Sequence, residues 1–241
     1  MWDDALLANP HAVADKRRRV QNMFSAIAPS YDLNNRLHSL WMDQRWRKKA
    51  VTLAEVKPTD RIVDVACGTG DLTLAMSRKL TAAPAPIGID FTFAMLPLAR
   101  SKCTGTFAWL NGDALSLPLD SGCADVVSIA FGIRNVTDPA AALREFKRIL
   151  RPAGRVIVLE FSLPTNPLLR ALYNFYFRQI LPRTATWISG DRTGAYRYLP
   201  QSVNTFISRE TMLQMMTEAG FSRVTQHAMT FGICVCYRGY A

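Results

Sequence analysis

Several acidic residues and one glycine turn stand at spacings that suit a single extended polar ligand. The run V-D-V-A-C-G-T-G-D-L-T (residues 63–73) reads as a strand, a tight turn and a helix start. Gly68 and Gly70 carry no Cβ, so a ligand can lie against the backbone there. The helix beginning behind them offers unpaired N–H groups and partial positive charge. Asp64, at the strand end, suits the amino group of a methionine-like moiety. Asp90 comes twenty residues after Gly70 and ends the next strand, where a carboxylate can accept from both hydroxyls of a ribose. In G-D-A-L-S-L-P-L (112–119), Asp113 can accept from an adenine amino group while the Ala114 backbone meets the ring edge. Each acid alone is equally an ordinary loop carboxylate. Three at successive strand ends, each with its own task on one ligand, are harder to explain that way.

A dinucleotide fits less well. Its fingerprint wants G-x-G-x-x-G, and Thr73 stands where the third glycine belongs. Asp71 would also face a pyrophosphate, whereas a sulfonium ligand carrying an ammonium group meets no such conflict. Asp71 is the carboxylate best placed to act as a base beside the ligand, with capping of its own helix as the plainer role. Arg134 and Asn135 lie in F-G-I-R-N-V-T-D (131–138), just after the fourth strand. Arginine stays protonated, so Arg134 suits stabilising an oxyanion or orienting a water rather than taking a proton. Asn135 can hold a second ring oxygen. A local ion pair between Arg134 and Asp138 is the bland alternative.

These residues need a frame that brings strand ends together. Strand-like runs occur at 61–66, 87–90, 106–110, 126–131 and 155–161, with helices expected at 72–80, 93–102 and 139–150. Pro97 should kink or shorten the second of these helices. Asp138 and Pro139 are good starts for the third. The β-α-β-α order predicts an α/β fold, a mostly parallel sheet with helices on both faces. Residues 1–56 read as an N-terminal helical cap, with Val20, Met23, Phe24 and Ile27 on one stripe and a second helix from 40 to 55. Residues 57–161 form the β/α core, and 162–206 an aromatic-rich cap insertion. A helix (208–219) and a closing hairpin (223–229 and 233–238) complete a single domain over 1–241.

Bulk properties exclude much else. The 241 residues are 49% hydrophobic and 20% charged, which predicts a buried core and no disorder. Five Cys without a CxxC pair and only three His argue against disulfides and against a metal site. Asp3 and Asp4 stand where a secretory signal needs positive charge, and no apolar run is long enough to span a bilayer; a cytoplasmic protein is expected. The net charge of +10 favours an anionic partner. No RNA-binding module accompanies it, so no nucleic acid is expected.

Five stretches carry a resemblance. They are M-F-S-A-I-A-P-S-Y-D-L-N-N (23–35), the glycine turn, F-G-I-R-N-V-T-D, L-R-P-A-G-R-V-I-V-L-E-F-S (150–162) and Y-R-Y-L-P-Q-S-V (196–203). In this order they resemble the C-methyltransferases of ubiquinone and menaquinone biosynthesis over nearly the whole chain. The resemblance implies a class I, Rossmann-like fold with S-adenosyl-L-methionine as cofactor. It also implies cofactor contacts at Thr69, Asp90, Asp113 with Ala114, and Ala130. The family often has Ser where Ala130 stands, so that contact must come from the backbone; it usually has Met where Asn34 stands. The implied reaction methylates a ring carbon of a polyprenylated quinol, with Arg134 and Asn135 beside the ring. Tyr31, Asp32 and Tyr196 then either close over the ring or pack the caps. An apolar helix at 167–181 can line a groove for the polyprenyl tail, with Arg170 and Arg178 on its polar face. Peripheral attachment to an anionic membrane is expected through Lys16–Arg19 and Arg45–Lys49; whether the chain is a homodimer stays open. The competing functions are another small-molecule or RNA methyltransferase of this fold, and a non-catalytic cofactor-binding subunit.

Overall fold

Short β-branched runs supply the strands. They are β1 (Ile62–Val65), β2 (Ile87–Asp90), β3 (Ala108–Asn111), β4 (Ala124–Ala130), β5 (Leu150–Phe161), β6 (Ser222–Met229) and β7 (Cys234–Tyr240). The computed structural model describes residues 2–82 and 84–241, and in it the strands form one sheet in the order β3-β2-β1-β4-β5-β7-β6. Strands β1 to β5 pair in parallel, while β7 runs antiparallel to both β5 and β6. The chain leaves β1 towards β2 on one side and returns to β4 on the other. That switch point is where open α/β sheets hold ligands, at the carboxyl ends of the strands.

The helices are α1 (Asp4–Ala8), α2 (Lys16–Ile27), α3 (Tyr31–Ser39), α4 (Met42–Ala54), α5 (Asp71–Ser77) and α6 (Met95–Lys102), then α7 (Pro139–Ile149), α8 (Pro167–Phe175), α9 (Leu181–Ser189), α10 (Ala195–Asn204) and α11 (Arg209–Glu218). Strand alternation sorts side chains into two cores. Val63, Val65, Val156 and Val158 meet Leu143 and Phe146 of α7 and Met212 and Met216 of α11. On the other face Ile62, Ile157 and Leu159 meet Trp46 and Ala50 of α4 and Leu72 and Met76 of α5. A third cluster joins Leu7 of α1 and Val20, Met23 and Ile27 of α2 to Leu181, Ala185, Tyr198 and Val203 of α9 and α10. The N-terminal helices and the 162–206 insertion therefore pack as one layer.

Helix α6 begins at Met95, so the helix is shortened and not kinked: Pro97 stands in its first turn, where the missing N–H has no partner to lose. Two other local expectations are corrected. The helix expected from 40 begins at Met42, because Leu40 and Trp41 both take left-handed backbone angles. The stretch 167–181 is no single groove-lining helix: α8 runs into a π-turn (Tyr176–Ile180) and on into α9. Leu168, Leu172 and Phe175, spaced i, i+4, i+7 on α8, are 69%, 60% and 62% exposed, so its apolar face looks outwards. Arg170 and Arg178 are exposed too.

Candidate active site

A cleft opens at the switch point, and the strand ends supply its floor. Ala66 and Gly68 follow β1, Asp90 and Phe91 close β2, Gly112 to Ala114 follow β3, and Ala130 and Phe131 end β4. Ala66, Gly68 and Phe131 take positive φ, a costly geometry for the two non-glycine residues and one that concentrates at functional sites. A Cβ on Gly68 would meet nothing nearer than Tyr31 at 3.9 Å, so this glycine keeps open space beside the turn. The Asp90 carboxylate accepts from the N–H groups of Gly68 and Thr92, both at 2.7 Å, and still lines the cleft. Burial pushes its pKa up to about 6. Asp113 accepts from the Leu115 N–H at 3.0 Å and also lines the cleft, as do Ala114 and Ala130.

Four residues expected at the ligand do not line this cleft. Asp64 is buried in the sheet, with its two oxygens taken by Ser128 Oγ and Thr73 Oγ1, each at 2.6 Å. It ties β1 to β4 and α5. The space a Cβ on Gly70 would need is filled by Trp109 and Cys103, at 2.8 and 3.1 Å. Gly70 thus serves close packing of the turn against β3 and α6. Thr69 donates to Asp32 at 2.6 Å and accepts from Lys102 at 2.8 Å. Lys102 also donates to Asp32 and to Asp71, at 2.8 and 2.5 Å. For Asp71, burial raises the pKa, but Arg47, Lys102 and Gln44 outweigh it and hold the carboxyl below its ordinary value. Asp71 is thus held by Lys102 and Gln44, and Asp32 belongs to the same latch between α3 and the glycine turn.

A second cavity shares Phe24, Tyr31 and Phe131 with the first. Arg134, Tyr196 and Tyr198 line it from one side, Asp43 and Arg47 of α4 from the other. Tyr31 separates the two spaces, and burial raises its pKa, so it keeps its proton. Arg134 does not pair with Asp138, which caps α7 through the Ala141 N–H at 2.9 Å. Its guanidinium meets Glu160 at 2.6 Å and the Phe131 carbonyl at 2.7 Å, at the side of the cavity. Asn135 donates to the Phe131 carbonyl at 3.4 Å and accepts from Tyr198 Oη at 3.0 Å; it lines the first cavity.

Sequence reasoning missed Glu160, Lys16 and Arg17. A signal existed for Glu160: an acid inside the apolar run V-I-V-L-E-F needs a buried partner. Lys16 has none in its own helix. It is 2% exposed and donates to the carbonyls of Arg134 and Val136 at 2.9 and 2.8 Å. Arg17 stacks over Phe91, 4.7 Å from its centroid, and reaches Asp113 at 2.8 Å across the cleft mouth. Of the two basic runs, Lys16 and Arg47 are buried, Arg17 is paired with Asp113 and Arg18 and Arg19 with Asp15, while Arg45, Lys48 and Lys49 are exposed.

The profile of the ubiE/COQ5 methyltransferase family matches residues 12–241. The chain is 42% identical over 234 residues to the ubiquinone/menaquinone biosynthesis C-methyltransferase UbiE of Citrifermentans bemidjiense, covering 95% of this chain and 99% of that protein. It is 46% identical over 220 residues to the demethylmenaquinone methyltransferase of Thermus thermophilus, covering 90% and 99% respectively. Among solved structures, a SAM-dependent methyltransferase of Thermotoga maritima superposes with a TM-score of 0.59 at 21% identity, over 90% of this chain and 99% of that one. At that identity the match speaks for the fold alone.

Proposed function

We infer what the two cavities do from one premise: the chain belongs to the ubiE/COQ5 methyltransferase family. It is an S-adenosyl-L-methionine-dependent C-methyltransferase of class I fold. The first cavity fits that cofactor, with Asp90 receiving the ribose hydroxyls and the Asp113–Ala114 turn receiving the adenine. The acceptor is the reduced ring of a polyprenylated quinol in the second cavity. The observation that carries this is the adjacency of a strand-end cleft and an aromatic, arginine-bearing cavity, with Tyr31 and Phe131 as their common wall.

Bound in the cleft, the cofactor supplies an electrophilic methyl group on sulfonium. A quinol ring matches it because its oxygens push electron density onto the ring carbon, as an oxidised quinone does not. Arg134 stands where it can stabilise a ring oxygen as it gains phenolate character, and Glu160 fixes the guanidinium plane. Arg134 is 4% exposed, and this burial keeps the interaction strong. The test is direct. Purified protein with cofactor should add one methyl group to a short-chain demethylnaphthoquinol or methoxybenzoquinol kept reduced. No product from either, with cofactor bound, would refute the acceptor assignment.

Asp90 gives this binding a pH dependence. Burial raises both Asp64 and Asp90 to about 6, against an ordinary 3.8. Their contribution to stability is therefore fully present below 3.8 and lost as pH rises through about 6. Cofactor affinity should run the opposite way, since a protonated Asp90 offers fewer acceptors to the ribose. Calorimetry should find affinity level above about pH 7 and falling by up to about tenfold per unit below about pH 6. A flat profile would remove Asp90 from the ribose.

We propose further that the protein meets an anionic membrane through α8 and α9 and not through α2. Trp187, on α9, is 86% exposed, and Ile180 stands one residue before that helix. Leu168, Leu172 and Phe175 of α8 are exposed as well, and Arg170, Arg178 and Arg183 of the same segment are exposed cations, the mixture of apolar and basic groups that suits an anionic interface. Among the described residues no helix is long and apolar enough to cross a membrane. Co-sedimentation with anionic vesicles should be lost in a Leu172→Ser/Phe175→Ser/Trp187→Ser variant and kept when Arg17 and Arg18 become Gln. The reverse pattern would return attachment to α2.

A further inference from the structure

Helix α4 contributes a buried ion pair to the second cavity. Asp43 and Arg47 lie one turn apart, and the chain keeps them 4% and 7% exposed. Arg47 Nη1 donates to Asp43 Oδ2 at 2.7 Å, and Asp43 Oδ1 accepts from Ser39 Oγ at 2.9 Å. The pair is thus neutral as a unit and anchored. Arg47 Nε, however, is buried with no acceptor among the described residues, although Arg47 lines the cavity wall. A buried charged donor left unmet is costly, and native proteins rarely carry one without a reason.

The surroundings say what would meet it. Arg47 lies over Phe131, 5.3 Å from its centroid, and Arg134 lies over Phe161 at 5.4 Å. The two phenyl rings are themselves in contact, so the guanidiniums flank an aromatic pair within one cavity. Besides these two cations the titratable groups facing the space are Asp43, Tyr31, Tyr196 and Tyr198. Asp43 is the one acid of that set, and it is already bound to Arg47. A flat anionic or strongly polar oxygen on an aromatic ring is the group that this lining lacks.

We propose that Arg47 is a catalytic residue whose Nε–H donates to a ring oxygen of the acceptor, opposite the oxygen addressed by Arg134. This rests on the quinol assignment above and adds a second oxygen contact to it. Two cationic donors on the ring favour its phenolate over its phenol, which raises the nucleophilicity of the carbon to be methylated. Asp43 acts as a positioning residue, holding the guanidinium edge-on to the cavity. Nothing in the chemistry changes: the S–CH3 bond breaks to leave the neutral thioether S-adenosylhomocysteine, a C–C bond forms, and the ring carbon's proton passes to water as the ring regains aromaticity.

The test uses the full chain with cofactor product bound and 4-nitrophenol as a chromophoric stand-in for the ring. In the wild type its ionisation, followed by absorbance, should occur at lower pH when bound than when free. In Arg47→Gln that shift should shrink by about one unit. Methylation of the reduced acceptor should fall about 10²-fold in kcat/KM, with cofactor affinity unchanged. Wild-type titration and wild-type kcat/KM in a folded Arg47→Gln protein would overturn the proposal. Should that variant not fold, Arg47→Lys decides, since it keeps a cation for Asp43 and removes the Nε donor. A loss of about tenfold in kcat/KM at unchanged Tm supports the role; no loss overturns it. An absence of methylation by the wild type with both quinol classes would instead strike the acceptor assignment itself.

Discussion

Asp90→Ala is expected to weaken S-adenosylmethionine binding by about two to four powers of ten. Each hydrogen bond to a charged group contributes roughly 1.5–3 kcal/mol, and 1.4 kcal/mol is about a tenfold change in affinity. The proposed ribose contacts number two, which sets the range. The same substitution strips the Gly68 and Thr92 N–H groups of their acceptor, so the turn after β1 loosens as well. Asp90 is the right residue to remove because its carboxylate joins the β1 turn to the β2 end and lines the cleft. Calorimetric titration measures the effect, and circular dichroism checks that the sheet persists. Affinity within threefold of wild type would mean that the ribose lies elsewhere. Asp64→Asn should behave differently: its side chain is sealed between Ser128 and Thr73, so stability should suffer before affinity does.

Arg134→Ala carries the second large effect, and it acts on two levels. Breaking a buried pair from one side leaves Glu160, 1% exposed, without its cation. That costs about 3–5 kcal/mol, and a chain of this size loses about 2–4 °C in Tm per kcal/mol. A fall in Tm of roughly 10 °C is therefore expected alongside lost turnover. The single variant confounds the two. Arg134→Met with Glu160→Leu removes both charges and fills the space with apolar groups, a change that buried pairs often tolerate well. The double variant should recover most of the Tm and none of the activity, with cofactor affinity close to wild type. Recovery of turnover together with Tm would show that Arg134 merely holds β5 against the β4 turn.

What the residues alone determined was the order of elements and the places where a ligand meets backbone. Alternating β-branched and helical runs dictate the parallel sheet, because a strand followed by a crossover helix has nowhere else to bury its apolar face. The acids at the ends of β2 and β3 were legible for the same reason: strand ends are positions in sequence as well as in space. Asp90, Asp113, Ala114 and Ala130 all reach the cleft. Asp64, Thr69, Gly70 and Asp71 do not, although they sit in the same motif. Which face of a turn a side chain takes depends on its neighbours, and those come from far along the chain: Ser128 for Asp64, Lys102 for Thr69 and Asp71, Trp109 for Gly70. Charge was the least legible property. Arg17, Arg47 and Lys16 look alike in a basic run, yet one clamps Asp113, one lies buried on Asp43, and one donates to the carbonyls of Arg134 and Val136. A cation's role is set by the acceptors within about 3 Å of its tip. For Lys16 and Arg17 only the tertiary structure supplies those acceptors, which lie up to 120 residues away, whereas Asp43 is one helical turn from Arg47.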